Sequence, residues 1–350
     1  MKRMILLLLS LLLIVGVFTA CSSPQTEDVD NTPVVEDDSN QIEDEKDKEE
    51  QEAETTIEHG ITINEDTISF IDGRGQEVSF NKNPQRVIVL YNSFLELWMA
   101  NGGSVVGKLE PTVGQAEIPG VEDAEIIGSL GAISVEKVIS LEPDLVIVNS
   151  TQTIQMELVP AFEQNNIPVL AVNYVGLDDY LKLSRIFTAL NEREDLYKTN
   201  VLDIEEKIDE ILSVIPEEKE HTILLIMASA KSVTARDSTS YVGLMLEDLN
   251  TINIADDSGG ALSSKNFSME KILEEDPDFI FVQTTGSDME ATLDRLKEDT
   301  EANPAWASLS AVQNDRYIIL PKDMYMLKAN LRYAEAYENL AKILYPELYQ

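Results

Sequence analysis

The sequence predicts an α/β protein of two Rossmann-like lobes that face a cleft and are joined by one long bridging α-helix. Three observations lead there. A motif recurs at a constant offset of 134 residues, strands alternate with helices in both halves, and residues 177–215 carry helical periodicity with little Gly or Pro. A chain of 350 residues also exceeds what one hydrophobic core usually supports, so two lobes are the default.

The first copy of the motif is Ile133-Ser134-Val135-Glu136-Lys137-Val138-Ile139, running on through Pro143-Asp144-Leu145-Val146-Ile147-Val148. The second is Phe267-Ser268-Met269-Glu270-Lys271-Ile272-Leu273, running on through Pro277-Asp278-Phe279-Ile280-Phe281-Val282. Each reads as a Ser-capped helix, a Pro-Asp turn and a continuously apolar strand of the kind buried on both faces. Upstream the halves match in type. Strand 86–90 feeds a helix over 94–100 that stops at Gly102-Gly103, and strand 222–227 precedes a helix over 242–249. Such alternation implies one parallel sheet per half. In the connection, Leu202, Ile204, Ile208, Ile211 and Leu212 fall at helical spacing. Ahead of the first lobe, two short strand patterns flank Asp72-Gly73, a hairpin signal, and residues 331–344 read as a closing amphipathic helix. The expected divisions are a first lobe over 61–176, the bridge over 177–215 and a second lobe over 216–350.

Before the lobes, Lys2-Arg3 and an apolar run to Phe18 lead to Thr19-Ala20-Cys21. That run is short for a membrane span and acids follow it at once, so residues 1–20 read as a signal peptide. Cys21 is the only cysteine, which excludes an intrachain disulfide and a Cys-based zinc site. Its position resembles a bacterial lipobox, which implies an acylated first residue and attachment to the extracytoplasmic face of the cell membrane. Residues 21–60 are then a lipidated cysteine and an acidic tether without aromatics, expected to be disordered.

Of the net charge of -38, residues 25–60 account for 15 acids against Lys46 and Lys48, which leaves about -27 for residues 61–350. A body that acidic is a poor partner for nucleic acid or an anionic lipid surface. Only His59 and His221 exist, so a His-based triad or a zinc site has no residues to build it. Neither a nucleophile elbow nor a phosphate-binding loop is present, since Gly102-Gly103-Ser104-Val105-Val106-Gly107 reads as a helix stop before a strand. The expectation is a monomeric non-enzyme with no resident metal or cofactor.

Four strings carry a family resemblance: Asn83-Pro84-Gln85-Arg86-Val87-Ile88-Val89-Leu90; Gly128-Ser129 through Pro143-Asp144-Leu145; Tyr241-Val242-Gly243 through Ala255-Asp256-Asp257; and Asp315-Arg316-Tyr317 through Pro321-Lys322. Over about residues 61–348 the chain resembles the helical-backbone substrate-binding proteins that serve ABC importers of siderophores, haem and cobalamin. The resemblance implies a permease dimer with its ATPase as partner, and Glu136 and Glu270 as the carboxylates that dock on it. Matched carboxylates on two pseudosymmetric lobes suit a two-fold partner on charge grounds. The alternative is that each merely favours the positive N-terminus of its helix.

In open α/β sheets a ligand sits beyond the carboxyl ends of the strands. There the sequence places Tyr91, Asn92, Ser93, Thr151 and Tyr174 from the first lobe, and Lys231, Arg236, Lys265, Thr285, Tyr325 and Lys328 from the second. The four basic residues favour an anionic chelate held by charge-assisted hydrogen bonds, and the tyrosines could pack against a flat chelator. A ferric siderophore or related iron complex is the first expectation, with haem or cobalamin, or a tethered ligand sensor, as alternatives. For haem, the axial positions that the resemblance implies fall on Trp98 or Met99 and on Thr285, so the histidine is missing. Met99, Met324, Met326 or a tyrosine would have to ligate instead. Permease engagement would pry apart lobes that the ligand holds closed, and the rigid bridge implies a closure of only a few degrees.

Overall fold

The structure is a computed structural model in which residues 56–349 are described. The signal peptide, Cys21 and most of the tether therefore lie outside the described residues. The folded part begins earlier than the composition suggests. Thr56–Glu58 (β1) pairs antiparallel with Ile61–Ile63 (β2) across a turn in which His59 and Gly60 are both left-handed, with φ of 49° and 73°. Its residues are mostly exposed, as expected of an edge strand too polar to stand out from an acidic tether. Thr67–Ile71 (β3) and Glu77–Asn81 (β4) complete this four-stranded sheet as the hairpin expected around Asp72-Gly73. The Asp72 carboxylate accepts from the backbone N–H groups of Arg74 and Gln76 and pairs with the Arg74 guanidinium at 2.6 Å. The hairpin tip docks on the first lobe: Gly73 donates its N–H to the Ala171 carbonyl, and a Cβ added to it would lie 2.4 Å from Ser150 Oγ.

The first lobe is a parallel sheet. Val87–Val89 (β5) leads into Asn92–Ala100 (α1), which stops at Gly102, where φ is +85°. Gly107–Lys108 (β6) and Glu125–Ile126 (β7) follow, and a small antiparallel pair, Gly128–Ser129 (β8) with Ala132–Ile133 (β9), opens the first copy of the motif. After it come Val135–Ser140 (α2), Leu145–Asn149 (β10), Thr153–Gln164 (α3) and Val169–Val172 (β11), in the sheet order β11-β10-β5-β6-β7.

The connection expected to be one long helix is broken in two. Leu177–Leu190 (α4) ends at Asn191, and Glu192 turns the chain with φ at 54°. Glu194–Tyr197 (α5), a π-helical turn at Lys198–Leu202 and Asp203–Ser213 (α6) then form a second helical run.

The second lobe is built on His221–Ala228 (β12), which pairs antiparallel with Val233–Arg236 (β13). Tyr241–Asp248 (α7), Thr251–Asn253 (β14), Met269–Glu275 (α8), Phe279–Thr284 (β15), Met289–Asp299 (α9), Ser310–Gln313 (α10), Tyr317–Ile319 (β16) and Lys322–Tyr325 (α11) follow. Strands β14, β15 and β16 run parallel to β12 or to each other, so only β13 breaks the parallel pattern. Tyr333–Leu344 (α12) closes the chain as expected.

The strands have period 2, so each sheet feeds two cores. Val87, Val89, Leu145 and Ile147 of the first sheet and Ile223, Leu225, Phe279 and Phe281 of the second all enter one continuous core, together with side chains of α4, α6 and α12. The alternate residues pack outward: Ile88, Val146 and Val148 in one cluster, Leu224, Ile226, Ile280 and Val282 in another. Among the described residues no helix is long and apolar enough to cross a membrane.

Candidate functional site: the carboxyl edges of the two sheets

The two copies of the motif fold alike, down to individual hydrogen bonds. Ser134 and Ser268 hold nearly the same backbone angles, and each accepts at its hydroxyl from the N–H three residues on, Lys137 or Lys271. Their own N–H groups donate to the Ile127 and Ala261 carbonyls, again 134 apart. The pairings Gly128 with Ile133 and Leu262 with Phe267 obey the same offset. At the far end Asp144 accepts from the N–H groups of Gln85 and Arg86, while Asp278 accepts from the N–H and hydroxyl of Thr222. Each aspartate thereby fastens the motif to the first parallel strand of its lobe. Glu136 and Glu270 are both exposed in the first turn of the capped helix. Ser134 bonds just beyond the carboxyl end of β7, which sets Glu136 near the carboxyl edge of the first sheet, and Ser268 bonds the Ala261 carbonyl in the matching way.

On the first lobe that edge holds a pocket. Asn92, Leu95, Lys108, Leu109, Pro111, Gln115, Ile118 and Val121 are among its lining, and its volume is about 300 Å³. Asn92, the first residue of α1, is buried. Its Nδ2 donates to the Glu110 carbonyl at 2.7 Å and to Thr112 Oγ1 at 3.0 Å, which leaves its Oδ1 buried without a partner. Lys108 turns its ammonium onto the Val121 carbonyl at 2.6 Å, pinning the loop that roofs the pocket. Tyr91, just before Asn92, packs its ring 4.9 Å from Phe94, and burial raises its hydroxyl pKa. The Ser93 carbonyl accepts from Asn330 of the second lobe at 3.1 Å; the same amide reaches Glu96, whose carboxyl is pushed up by burial against the lowering effect of that bond and one from Gln115.

The floor between the lobes is aromatic. Tyr174 follows β11, is buried, and lies 6.4 Å from Tyr241 and 6.2 Å from Tyr333, both of the second half. Tyr180 stacks on Tyr333 at 5.2 Å. Lys328 sits inside this group, with its Nζ 3.9 Å from the Tyr241 ring centre and 4.7 Å from that of Tyr174, and donates to the Val175 carbonyl at 3.4 Å. Burial lowers its pKa to about 7, opposed by the charge of Asp179. Lys328 is half-buried and ties one lobe to the other through the Val175 carbonyl and the two rings. Tyr325 is buried as well, its hydroxyl donating to the Ala336 carbonyl of α12 and its carbonyl accepting from the Gln283 amide.

The remaining basic residues disperse. Lys231 is exposed on the β12–β13 turn, at the carboxyl end of β12. Arg236 pairs in register with Leu225, three positions back from that end, because β13 runs antiparallel. Lys265 is exposed on the hairpin tip beside Ser263, whose carbonyl accepts from Ala235 of β13, so it lies beyond the outer edge of the sheet. Thr285 follows β15 and donates its N–H to the Ala228 carbonyl, and Thr151 is an exposed residue whose N–H and hydroxyl both bond Asn149 Oδ1. Sequence reasoning missed Lys108, Gln115 and Lys322. The Lys322 ammonium donates to the Gly286 carbonyl at 2.6 Å while its stem lies beside Gly114 of the first lobe. Lys108 ends a parallel strand, Gln115 lies in the strand-to-strand loop after it and Lys322 comes shortly after β16, positions that could have flagged them.

Of the positions considered for haem, Trp98 and Met324 are engaged otherwise, while Met99 and Met326 are half-buried. Trp98 is fully buried, with its indole N–H given to the Ser104 carbonyl; Met324 is buried, its sulfur 3.7 Å from the Asn339 amide; and Met99 packs near Gly120. Among the described residues no group of three or more His, Cys, Asp or Glu could hold a metal ion.

Comparison with known proteins adds a family and a fold. The model of the family described as periplasmic binding protein matches residues 87–324. YvrC of Bacillus subtilis (strain 168), named an uncharacterized ABC transporter substrate-binding lipoprotein, is 24% identical over 296 residues, 81% of this chain and 87% of its own length. The Fe(3+)-citrate-binding protein YfmC of the same organism is 23% identical over 255 residues, 69% and 75% of the two chains. Among solved structures, an ABC transporter substrate-binding protein from Listeria monocytogenes EGD-e superposes with a TM-score of 0.63 at 20% identity, covering 76% of this chain and 100% of that one.

Proposed function

The chain belongs to the periplasmic binding protein family, and from that premise we propose that it is the substrate-binding lipoprotein of an ABC importer, capturing an iron complex outside the membrane and handing it to a permease. The observation that carries this reading is the duplicated capped helix, which presents Glu136 and Glu270 at equivalent exposed positions of two lobes. A two-fold permease offers two equivalent basic surfaces, and paired carboxylates set orientation as much as affinity. Relatives named as lipoproteins and as an iron(3+)-citrate binder support the anchor and the iron complex as ligand. The family and fold are those of transport proteins rather than enzymes.

In this mechanism the ligand lies over the tyrosine floor. It meets Tyr91, Asn92 and Ser93 from the first lobe, and Lys231, Thr285 and Lys322 from the loops of the second. Replacing Glu136 and Glu270 together by Ala should cut uptake of the radioiron complex at least tenfold while affinity in solution stays within twofold; undiminished uptake would refute docking through these carboxylates. Cys21 would carry the acyl chains, two of which make membrane attachment stable. Cys21→Ser should move the protein from the membrane fraction to the medium, as read by detergent-free fractionation.

A further inference from the structure

The cleft offers little to a polyanion. Of the cations expected there, Lys328 is enclosed by tyrosines, Arg236 lies back along β13, and Lys265 sits outside the sheet. Among the described residues the ammonium groups that stand at the carboxyl edges are Lys108, Lys231 and Lys322, and the first and last each give one N–H to a backbone carbonyl at 2.6 Å. Among the described residues no guanidinium stands there to grip a carboxylate or catecholate by its fork. The loop that roofs the first-lobe pocket brings Glu110, Glu117 and Glu122, which match those three ammoniums in number, and the lobes as a whole carry about -27. Such a field opposes the approach of an anion before contact is made.

The pocket itself suits another chemistry. Leu95, Leu109, Pro111, Ile118 and Val121 give it aliphatic walls, while the unpartnered Asn92 Oδ1 is an acceptor waiting for an N–H or O–H. An aliphatic chain interrupted by amide or hydroxamate groups satisfies both, since an unmet buried acceptor is costly and apolar wall is best covered by methylene. Resting on the iron-complex reading above, we infer that the cleft selects a ferric trihydroxamate of zero or +1 net charge, with one aliphatic amide-bearing arm in the pocket beside Asn92, over tricatecholate and carboxylate complexes and over haem with its two propionates.

The test titrates the full-length protein in detergent with four iron complexes, reading intrinsic fluorescence and calorimetric heat: a neutral ferric trihydroxamate, ferrioxamine B at +1, ferric citrate and a ferric tricatecholate, with hemin as a fifth probe. The inference expects both hydroxamates to bind at least a hundredfold more tightly than any of the anions. Tighter binding of ferric citrate, the tricatecholate or hemin would overturn the charge selection and leave the importer function standing. Binding of none of the five would overturn the iron-complex reading and this inference with it. Ile118→Trp, which fills the pocket, should weaken trihydroxamate binding about tenfold without lowering the melting temperature. Unchanged affinity would place the arm elsewhere. Glu117→Lys with Glu122→Lys should narrow the gap between anionic and hydroxamate complexes at least fivefold, and an unaltered ratio would deny that these carboxylates set it.

Discussion

Lys328 carries the clearest single-residue consequence. Its folded pKa, lowered to about 7 by burial, lies below the ~10.4 of an unfolded lysine, so between those values the unfolded chain binds the extra proton. Stability therefore rises with pH across that window, and below about pH 7 the full cost of enclosing the ammonium is present. The Tyr174 and Tyr241 rings, the Val175 carbonyl and the Asp179 carboxylate face it, and each favours the charged form against the larger cost of burial. Lys328→Met keeps the aliphatic stem and removes the charge. The variant should melt higher than the parent at pH 6, by at least ~2 °C per kcal/mol recovered, and the difference should shrink steadily toward pH 9. A difference independent of pH would mean that the amine does not titrate in this window. The sequence could not reveal this enclosure: a lysine after strand β16 counts as a cleft cation by position, and only tertiary packing puts two rings over it.

At the scale of elements, what was legible followed from local chemistry. Ser caps, Pro-Asp turns and apolar runs at a fixed offset announced two equivalent units, and the hydrogen bonds of Ser134, Ser268, Asp144 and Asp278 repeat as the residues do. What failed had no local signal. The break between α4 and α5 falls at Asn191-Glu192-Arg193, without Gly or Pro, and is made by Glu192 adopting a left-handed conformation that its side chain resists. Likewise Arg236 was misplaced because nothing in the residues of β13 says that it runs antiparallel in an otherwise parallel sheet. Glu192 is exposed, so Glu192→Gly should relieve the strain at little other cost. The expected gain is on the order of 0.5 kcal/mol after the added freedom of the unfolded chain, measurable by urea denaturation with an unchanged m-value. A loss of stability would show that Glu192 makes a contact worth more than its strain.

For the whole molecule, the shared core matters more than the division into lobes. Inner-face residues of both sheets and helices α4, α6 and α12 meet in one cluster, and the tyrosine floor spans the seam. Lobes coupled in this way should unfold together. Thermal melts followed by far-ultraviolet circular dichroism and by tyrosine fluorescence should coincide in one transition, and two separated steps would indicate independent cores. The same coupling limits opening to small rotations, because a wide swing would expose Tyr174, Tyr180 and Tyr333, which meet across the seam, to water.

One result of that continuity concerns how the protein can come into being. A ribosome releases the first sheet long before β12 exists, yet Tyr174 and Tyr180 rest against Tyr241 and Tyr333 of the later half to stay dry. The early half is therefore left with an oily flank that invites self-association until synthesis ends. For a polypeptide exported before it folds, the waiting half would depend on holding factors on both sides of the membrane, and gene fragments encoding either half alone should yield aggregates that become soluble only when the two are produced together.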